Sequence, residues 1–360
     1  MKNTLVTGGA GFIGSNFIHH LLGQNQEIKV INLDALTYAG NLDNLKDFTS
    51  NNQYDFIHGD IRDAALIQSV LTGGKIDTVV HFAAESHVDR SIENPIEFIL
   101  TNVVGTGNLL STCLAYWNGL DPVNKSEFRF LHISTDEVFG SLSKNDPAFS
   151  EATPYSPNSP YAASKASADL LVRAFYKTYN FPAIISNCSN NYGPYQYPEK
   201  LIPLIILNCL EGRPLPLYGD GQQIRDWLYV EDHCEALFSI LKAGLVGHSY
   251  NIGGGNQPSN LEITRQICHI MDKLKPDSTF VPHERLITYV KDRPGHDRRY
   301  AMDISKISKE LSWQPHHDLA EGLEETVRWY LVHMDWVSAV RNRPSYKEWI
   351  DKNYNQREKA

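Results

Sequence analysis

Two short stretches of the chain carry side chains that could act together on one reacting carbon. The stretch STDE, Ser134–Glu137, places two hydroxyls and two consecutive carboxylates directly after the apolar run FRFLHI. Further along, Tyr161 and Lys165 stand four residues apart, the spacing that brings two side chains onto one face of a helix. A phenol is a poor base at neutral pH unless a nearby cation favours its phenolate form. The Lys165 ammonium is placed to supply that charge.

The adjacent carboxyls of Asp136 and Glu137 have two possible explanations. Water covers them in an ordinary acidic turn, or a reaction needs two acids at one centre. In a dry cleft each carboxyl disfavours ionisation of the other, so the pair titrates as a unit. Residues that follow a parallel strand at its carboxyl end lie where ligands bind in open α/β sheets, which favours catalysis.

A glycine-rich turn at the start of the chain predicts a dinucleotide site. Gly8, Gly11 and Gly14 follow the strand NTLVT and open a helix, where backbone N–H groups can approach a pyrophosphate. Asp34 ends the next strand, 20 residues after Gly14. A carboxylate at that position accepts hydrogen bonds from the adenosine ribose and repels a 2′-phosphate, so the sequence predicts NAD rather than NADP.

These residues need a sheet to position them. Apolar strand-like runs alternate with helical patterns up to about residue 190, which predicts an α/β fold with a doubly wound parallel (Rossmann) sheet. We expect residues 1–190 to form the NAD-binding domain, with about 228–255 returning to it. Residues 191–360, rich in Gly, Pro and Tyr at their start, are expected to form mainly a smaller C-terminal α/β region over the sheet edge.

Composition excludes several classes of protein. A chain of 360 residues with net charge −9 lacks the basic footprint of a nucleic-acid partner. The five scattered cysteines, with no CxxC pair, predict free thiols in a reducing compartment. The N-terminus has no signal-peptide pattern, and the apolar run LIPLIILNCL is too short to span a bilayer. We therefore expect a soluble, cytoplasmic protein without a membrane partner. The 14 histidines show no zinc spacing, and we expect no metal.

The order of these features resembles the extended short-chain dehydrogenase/reductase family. The glycine turn, Asp34, alanines after the fourth strand, a hydroxyl residue after the fifth and the YxxxK pair follow one another as in that family. The segments AAESHVDRS, SNNYGPYQYPEKLIP, GQQIRDWLYVEDH and DRPGHDRRYA further resemble its nucleotide-sugar 4,6-dehydratases. That resemblance implies bound NAD, dTDP-glucose as the substrate and a homodimer. It also implies that residues 191–360 mainly bind the nucleotide sugar.

The resemblance assigns catalytic roles. Tyr161 is the base at C4 of the sugar, supported by Lys165 and by a hydroxyl that is Ser134 or, as we assign it, Thr135. Once C4 is a ketone, the C5 proton is acidified and Glu137 can remove it. Asp136 can then protonate the departing C6 hydroxyl. The elimination needs the two carboxyls in opposite protonation states.

Binding residues are likewise implied by the resemblance. Those for the cofactor are Gly8, Gly11, Phe12, Ile13, Gly14, Asp34, Ala35, Leu36, Thr37, Asp60, Ile61, Phe82, Ala83, Ala84, Glu85, Thr101, Tyr161, Lys165 and Asn191. Those for the substrate are Ser86, Thr135, Asn190, Lys200, Leu201, Pro216, Tyr218, Arg225, Asn260, Arg293 and His296. Ala35 departs from the family pattern, which often has Lys there.

Three other functions stay open at this stage. A 4-epimerase or a GDP-mannose 4,6-dehydratase would use the same fold, although the tandem acids disfavour the first. The PYQYPEKLIP and DRPGH segments favour a thymidine nucleotide over GDP-mannose. A catalytically silent dinucleotide sensor would be free to lose Tyr161, Lys165 or the acid pair, and the chain keeps all four residues.

Overall fold

A seven-stranded parallel sheet forms the centre of the computed structural model, which describes residues 1–23 and 27–351. Its strand order is β10-β6-β5-β4-β1-β2-β3. The eleven strands of the described residues are β1 Asn3–Thr7, β2 Lys29–Asp34, β3 Tyr54–His58, β4 Thr78–His81, β5 Arg129–Thr135, β6 Ala183–Cys188, β7 Asn190–Tyr192, β8 Leu215–Tyr218, β9 Trp227–Tyr229, β10 Ser249–Ile252 and β11 Ile287–Val290. This confirms the predicted doubly wound fold.

Helices cover both faces of the sheet and build the C-terminal region. Their bounds are α1 Phe12–Gly23, α2 Ala64–Gly74, α3 Val88–Glu93, α4 Pro95–Phe98, α5 Thr106–Gly119, α6 Pro122–Glu127, α7 Pro160–Tyr179, α8 Leu201–Glu211, α9 Val230–Ala243, α10 Asn260–Leu274, α11 Ser305–Leu311, α12 Leu319–Val332, α13 Met334–Arg341 and α14 Pro344–Ile350. Short 3-10 turns span Leu42–Phe48, Asp136–Phe139 and His283–Leu286, and a π-helical turn spans Ile99–Gly105.

The strands of the central sheet are apolar because helices cover both of their faces. All four residues of β4 and the last six of β5 are buried. Strands buried on both sides read as continuous apolar runs rather than alternating ones. All the strand pairs of the sheet are parallel, so their carboxyl ends meet at one edge. The loops at that edge carry the candidate site.

The C-terminal region has its own core. The parallel pairs β8–β11 and β7–β9 lie beside α8, α10 and α12, and the apolar side chains of this region form a separate buried cluster. Within residues 228–255, α9 packs against α1 and β10 pairs with β6 at the edge of the central sheet. Residues 352–360 of the region predicted as 191–360 lie outside the described residues.

One helical run among the described residues has the length and apolar character of a membrane span. It covers Pro95–Gly119, and 44% of its most apolar window is buried in the chain. The run packs against α2 and α7. Core helices of soluble proteins have the same composition, so the run by itself is weak evidence for a span.

Candidate active site

A cleft at the carboxyl edge of the sheet gathers most of the predicted residues. Its wall contains Gly8, Gly11, Phe12, Ile13, Gly14, Asp34, Ala35, Thr37, Asp60, Ile61, Phe82, Ala83, Ala84, Glu85, Ser86, Thr101, Thr135, Asp136, Glu137, Tyr161, Lys165, Asn190, Asn191 and Lys200. They come from the ends of β1 to β6, from α7 and from the start of the C-terminal region. The cleft therefore joins the glycine turn to the two catalytic stretches.

The glycine turn fits the diphosphate of a dinucleotide. Gly8 has a φ of +74°, and a Cβ there would lie 2.6 Å from the backbone nitrogen of Ala83. A Cβ on Gly14 would lie 2.4 Å from the carbonyl oxygen of Gly8. Both positions therefore require glycine, and the turn brings the N-terminus of α1 to the cleft wall. A helix N-terminus with unshielded backbone N–H groups is suited to a pyrophosphate.

Asp34 ends β2 in the manner expected of a ribose ligand. Its carboxylate is buried and accepts hydrogen bonds from the backbone of Ala10 at 2.9 Å and of Leu36 at 2.7 Å. Burial raises the pKa of Asp34, and these two amides lower it. Leu36 itself does not line the cleft, and its φ of 51° reflects the turn that Asp34 holds. Asp34 thus fixes the shape of the adenosine end of the site as well as its charge.

Tyr161 and Lys165 lie on one face of α7, which begins at Pro160. Ser159 caps the helix by accepting a hydrogen bond from the backbone of Ala162 at 3.0 Å. This cap fixes the start of the helix and hence the face on which both side chains point. Both are buried, and the Lys165 ammonium donates to the carbonyl oxygen of Ile133 at 2.7 Å.

Burial raises the pKa of Tyr161 well above its ordinary value, and the charge of Glu137 raises it further. A hydrogen bond with Thr135 acts in the opposite direction. The Ser134 hydroxyl instead donates to Asp169 at 2.8 Å. Of Ser134 and Thr135, Thr135 is therefore the residue that hydrogen-bonds to Tyr161.

The two carboxyls follow β5 on a 3-10 turn. The Thr135 hydroxyl donates to Asp136 Oδ1 at 3.2 Å and accepts from the backbone N–H of Glu137 at 3.3 Å. Asp136 is 1% exposed, and burial raises its pKa well above the usual range, with the charges of Glu137 and Asp226 adding to the effect. These surroundings favour the protonated form of Asp136.

Glu137 has different neighbours. Burial raises the pKa of Glu137 above its ordinary value, and the charges of Arg293, Arg225 and Lys200 limit that rise. Cations favour the ionised form of an acid. The surroundings thus favour ionisation of Glu137 more than that of Asp136.

Seven predicted substrate or cofactor residues besides Leu36 lie outside this cleft wall. They are Leu201, Pro216, Tyr218, Arg225, Asn260, Arg293 and His296. Pro216 lines a second cavity between α8, the β8–β11 pair and the helices α13 and α14. Arg225 is buried under the ring of Tyr300 and donates to the carbonyl oxygens of Ile224 and Asp297. Asn260 is the first residue of α10.

The segment Arg293–His296 is held by aspartates. Arg293 pairs with Asp89 at 3.2 Å, and Asp89 also accepts from the hydroxyl of Tyr218 at 3.3 Å. His296 Nδ1 lies 2.6 Å from Asp292. Asp89 therefore brings two predicted substrate residues together.

Sequence reasoning missed several residues of the cleft. Tyr38, Tyr197 and Glu199 line it although no motif argument selected them. Glu199 is buried and pairs with Arg90 at 3.0 Å. Its position next to Lys200 in YPEKL was the one available signal.

Three side chains outside the cleft lie close enough together to bind a cation. Asp232, Glu235 and His316 place ligand atoms within 4.8 Å of one another. Asp232 already accepts from the backbone and ring of His317, at 3.0 and 2.8 Å. The cluster lies outside the cleft, and the absence of a metal stays a prediction.

The fold and this site define an extended short-chain dehydrogenase/reductase. A family model described as GDP-mannose 4,6 dehydratase matches residues 5–326. The curated dTDP-glucose 4,6-dehydratase of Salmonella typhimurium is 52% identical over 362 residues, 98% of this chain and 99% of that protein. The chain therefore belongs to the dTDP-glucose 4,6-dehydratase family.

Two solved structures agree with this assignment. The dTDP-glucose 4,6-dehydratase of Bacillus anthracis, in complex with NAD, has a TM-score of 0.84 and 46% identity, covering 94% of this chain and 100% of that one. The Streptomyces venezuelae enzyme, with NAD and TYD bound, has a TM-score of 0.85 and 45% identity, covering 94% and 99%.

Proposed function

We propose that this chain converts dTDP-glucose to dTDP-4-dehydro-6-deoxy-D-glucose, with loss of water across C5 and C6. The observation that carries the proposal is the placement of Thr135, Asp136, Glu137, Tyr161 and Lys165 on the wall of one cleft that reaches the glycine turn. A 4-epimerase would need only the Tyr–Lys pair and the hydroxyl. The acid and the base supplied by Asp136 and Glu137 are what an elimination requires.

The first step takes place at C4. When bound, NAD would supply a hydride acceptor for C4, a hydride donor for C6 and a positive charge that favours the Tyr161 phenolate. Tyr161 removes the proton of the C4 hydroxyl, and Thr135 hydrogen-bonds the same oxygen. The buried Lys165 ammonium favours the phenolate because two opposite charges stabilise each other strongly away from water.

The second step removes water. The ketone at C4 acidifies the C5 proton, which Glu137 takes. Asp136 gives its proton to the C6 hydroxyl, which leaves as water while the C5–C6 double bond forms. The hydride taken from C4 would then be returned to C6, and Glu137 would give its proton back to C5. Arg225 lowers the pKa of both carboxyls, but Arg293 and Lys200 add to it at Glu137, which favours Glu137 as the base and Asp136 as the acid.

The diphosphate of the substrate is proposed to lie among Lys200, Arg225 and Arg293. All three are largely removed from water, and their charges reach Glu137. Arginine can contact a phosphate through two N–H groups at once. We propose that Pro216, Tyr218 and Asn260 hold the thymine end. Pro216 and Tyr218 share one strand, β8.

We also propose a homodimer through the helical run Pro95–Gly119 and α7. Apolar side chains on these two packed elements are exposed, among them Ile96 at 59%, Val104 at 51% and Leu170 at 56%. A second copy that presents the same two helices would cover them in an isologous four-helix interface. In light scattering, Leu170→Glu should lower the mass to that of one chain. Val332→Glu, at the 78% exposed Val332 on α12, should not. A monomeric parent protein would contradict the dimer.

A cytoplasmic location remains our proposal from the cysteines. All five are free and buried, which suits a compartment that keeps thiols reduced. Fractionation of cells that express the chain would test it, and recovery in an oxidising compartment would contradict it.

The activity is tested by a mass-resolved assay. The protein as purified, with no added reductant, is incubated with dTDP-glucose, UDP-glucose and GDP-mannose, and products are screened for loss of one water. We expect water loss from dTDP-glucose at the highest rate. Epimerisation without water loss, or a preference for GDP-mannose, would overturn the proposal.

A further inference from the structure

A buried carboxylate lies one helical turn beyond Lys165. Asp169 is 1% exposed and Lys165 is 4% exposed, and both belong to α7. Removing an ion from water costs several kcal/mol unless a counter-charge and hydrogen bonds compensate. None of the proton transfers proposed above uses Asp169, and it does not line the cleft. Its burial therefore calls for another role.

Three donors hold one oxygen of Asp169. Its Oδ2 accepts from the hydroxyl of Ser134 at 2.8 Å, the hydroxyl of Tyr155 at 2.9 Å and the side-chain amide of Asn187 at 3.2 Å. An ionised carboxylate has only acceptor sites, which suits this environment. The donors come from β5, β6 and the segment before α7, so the carboxylate is fixed in space.

The second oxygen faces a histidine. His132 Nε2 lies 3.1 Å from Asp169 Oδ1 and 3.5 Å from the Lys165 ammonium nitrogen. The ring is fully buried, and burial together with the Lys165 charge lowers the pKa of His132 to about 4. A neutral imidazole can serve only one of these partners through Nε2. Nε2 either accepts from the Lys165 ammonium or carries a proton that faces Asp169, and in both tautomers the ring stands between the two charges.

The ring thus separates the two charges. A direct salt bridge to Asp169 would take an ammonium hydrogen and draw Lys165 along the helix, away from Tyr161. With the imidazole between them, the carboxylate acts on Lys165 by its charge alone. The ammonium keeps its hydrogen bond to the carbonyl oxygen of Ile133.

Asp169 supplies the negative charge in the surroundings of Lys165. The Cys188 thiol on β6 also faces Lys165, but burial raises the pKa of Cys188 to about 12 and keeps it neutral. Behind His132, burial lowers the pKa of His81 on β4 well below its ordinary value. Tyr161 precedes Lys165 by about one turn of α7.

We propose that Asp169 is the counter-ion of Lys165, acting across the His132 ring, and that this pair holds the ammonium charged and in place beside the Tyr161 phenol. Asp169 and His132 are positioning residues, because they act through Lys165 and touch neither substrate nor cofactor. The kinetic consequence rests on the proposed function, whereas the electrostatic coupling does not.

The kinetic test isolates oxidation at C4 by working in a Glu137→Gln background. Asp169→Asn keeps the shape of the side chain and removes its charge, so Lys165 should lose its proton at lower pH. We expect the alkaline limb of the pH–rate profile to move down by about one unit or more. Asp232→Asn, which neutralises a buried carboxylate on α9 that is not among the charges acting on Lys165, should leave the limb in place. An equal loss of rate at every pH, with the limb unmoved, would overturn the proposal.

A second test needs no turnover. Thermal unfolding is measured with the same excess of NAD for the parent, Asp169→Asn, Lys165→Met and the double variant. If the two charges are coupled, Asp169→Asn lowers the unfolding temperature less when Lys165 is already Met. Additive effects would overturn the proposal. Because this cycle is independent of dTDP-glucose, it separates a failure of the counter-ion role from a failure of the proposed function.

Discussion

Arg90 and Trp349 stack on each other, with the guanidinium carbon of Arg90 4.1 Å from the centre of the Trp349 ring. The other face of the guanidinium lies 4.0 Å from the ring centre of Tyr38, which lines the cleft after β2. Trp349 belongs to α14. The C-terminal helix is thereby fastened to the loop beside Asp34, at the adenosine end of the proposed cofactor site.

Arg343 strengthens the same contact and gives the first prediction. It donates to the carbonyl oxygen of Gly40 at 2.8 Å and to Asn41 Oδ1 at 2.6 Å. Hydrogen bonds from a charged donor contribute about 1.5 kcal/mol or more. Arg343→Ala should therefore loosen the loop and raise the dissociation constant of NAD by about tenfold, measured by fluorescence titration.

Arg341→Ala is the matched control. Arg341 lies two residues earlier and pairs with Glu211 on α8, away from the loop. The Arg341→Ala variant should leave the affinity for NAD unchanged. If both variants bind NAD as the parent does, the C-terminal helices play no part in cofactor retention.

The second prediction concerns Glu137. Glu137→Gln keeps the size of the side chain and removes its ability to take the C5 proton. We expect C4 oxidation to continue while water loss falls by about a hundredfold or more, as for removal of a general base. A single turnover should accumulate reduced nicotinamide absorbance without a dehydrated product by mass spectrometry. Dehydration at the parent rate would show that another group is the base.

A matched control for this variant lies just outside the cleft. Glu151 is a partly buried carboxylate that accepts from the backbone N–H of Asn251. Glu151→Gln should retain both oxidation and water loss.

Features of the fold and of the site that depend on local spacing could be predicted from the sequence. The apolar runs placed β1 to β6, and the four-residue spacing of Tyr161 and Lys165 placed them together on α7. Helical and strand periodicity are local properties, so a short window reveals them. The assignments of binding residues stay predictions.

Contacts between distant segments were not predictable in this way. The stack of Arg90 on Trp349 and the pairing of Arg293 with Asp89 join segments that no local pattern relates. Asp169 reads in sequence as an ordinary polar helix residue. Its burial is fixed by Ser134 and Asn187, which the parallel pairing of β5 and β6 brings side by side.

The third prediction concerns Tyr161. Tyr161→Phe removes the hydroxyl and leaves the ring, so packing against Phe98 is kept. We expect C4 oxidation to fall by about a hundredfold to ten-thousandfold, since the phenolate is the proposed base. Reduced nicotinamide should not accumulate even in the Glu137→Gln background. Tyr116→Phe, which removes a hydroxyl bonded to the Ile76 carbonyl, should behave as the parent. Oxidation by Tyr161→Phe at the parent rate would assign the base elsewhere.

The last prediction uses a buried anion near Asp136. Asp226 is fully buried and accepts from the backbone of Gly254 at 2.8 Å and of Met302 at 3.3 Å. Burial raises the pKa of Asp226 to about 6, so above that pH its charge helps to hold the proton on Asp136.

Asp226→Asn removes that charge, and the pKa of Asp136 should fall. As the proposed acid, Asp136 would be active below its pKa, and this activity would be lost as the pH rises through that value. A lower pKa therefore moves the alkaline limb of the water-loss rate to lower pH, by about one unit if the two charges interact as close neighbours do. C4 oxidation in the Glu137→Gln background needs no acid from Asp136, so its profile should stay in place. If both profiles shift together, or if neither shifts, the charge of Asp226 does not raise the pKa of Asp136.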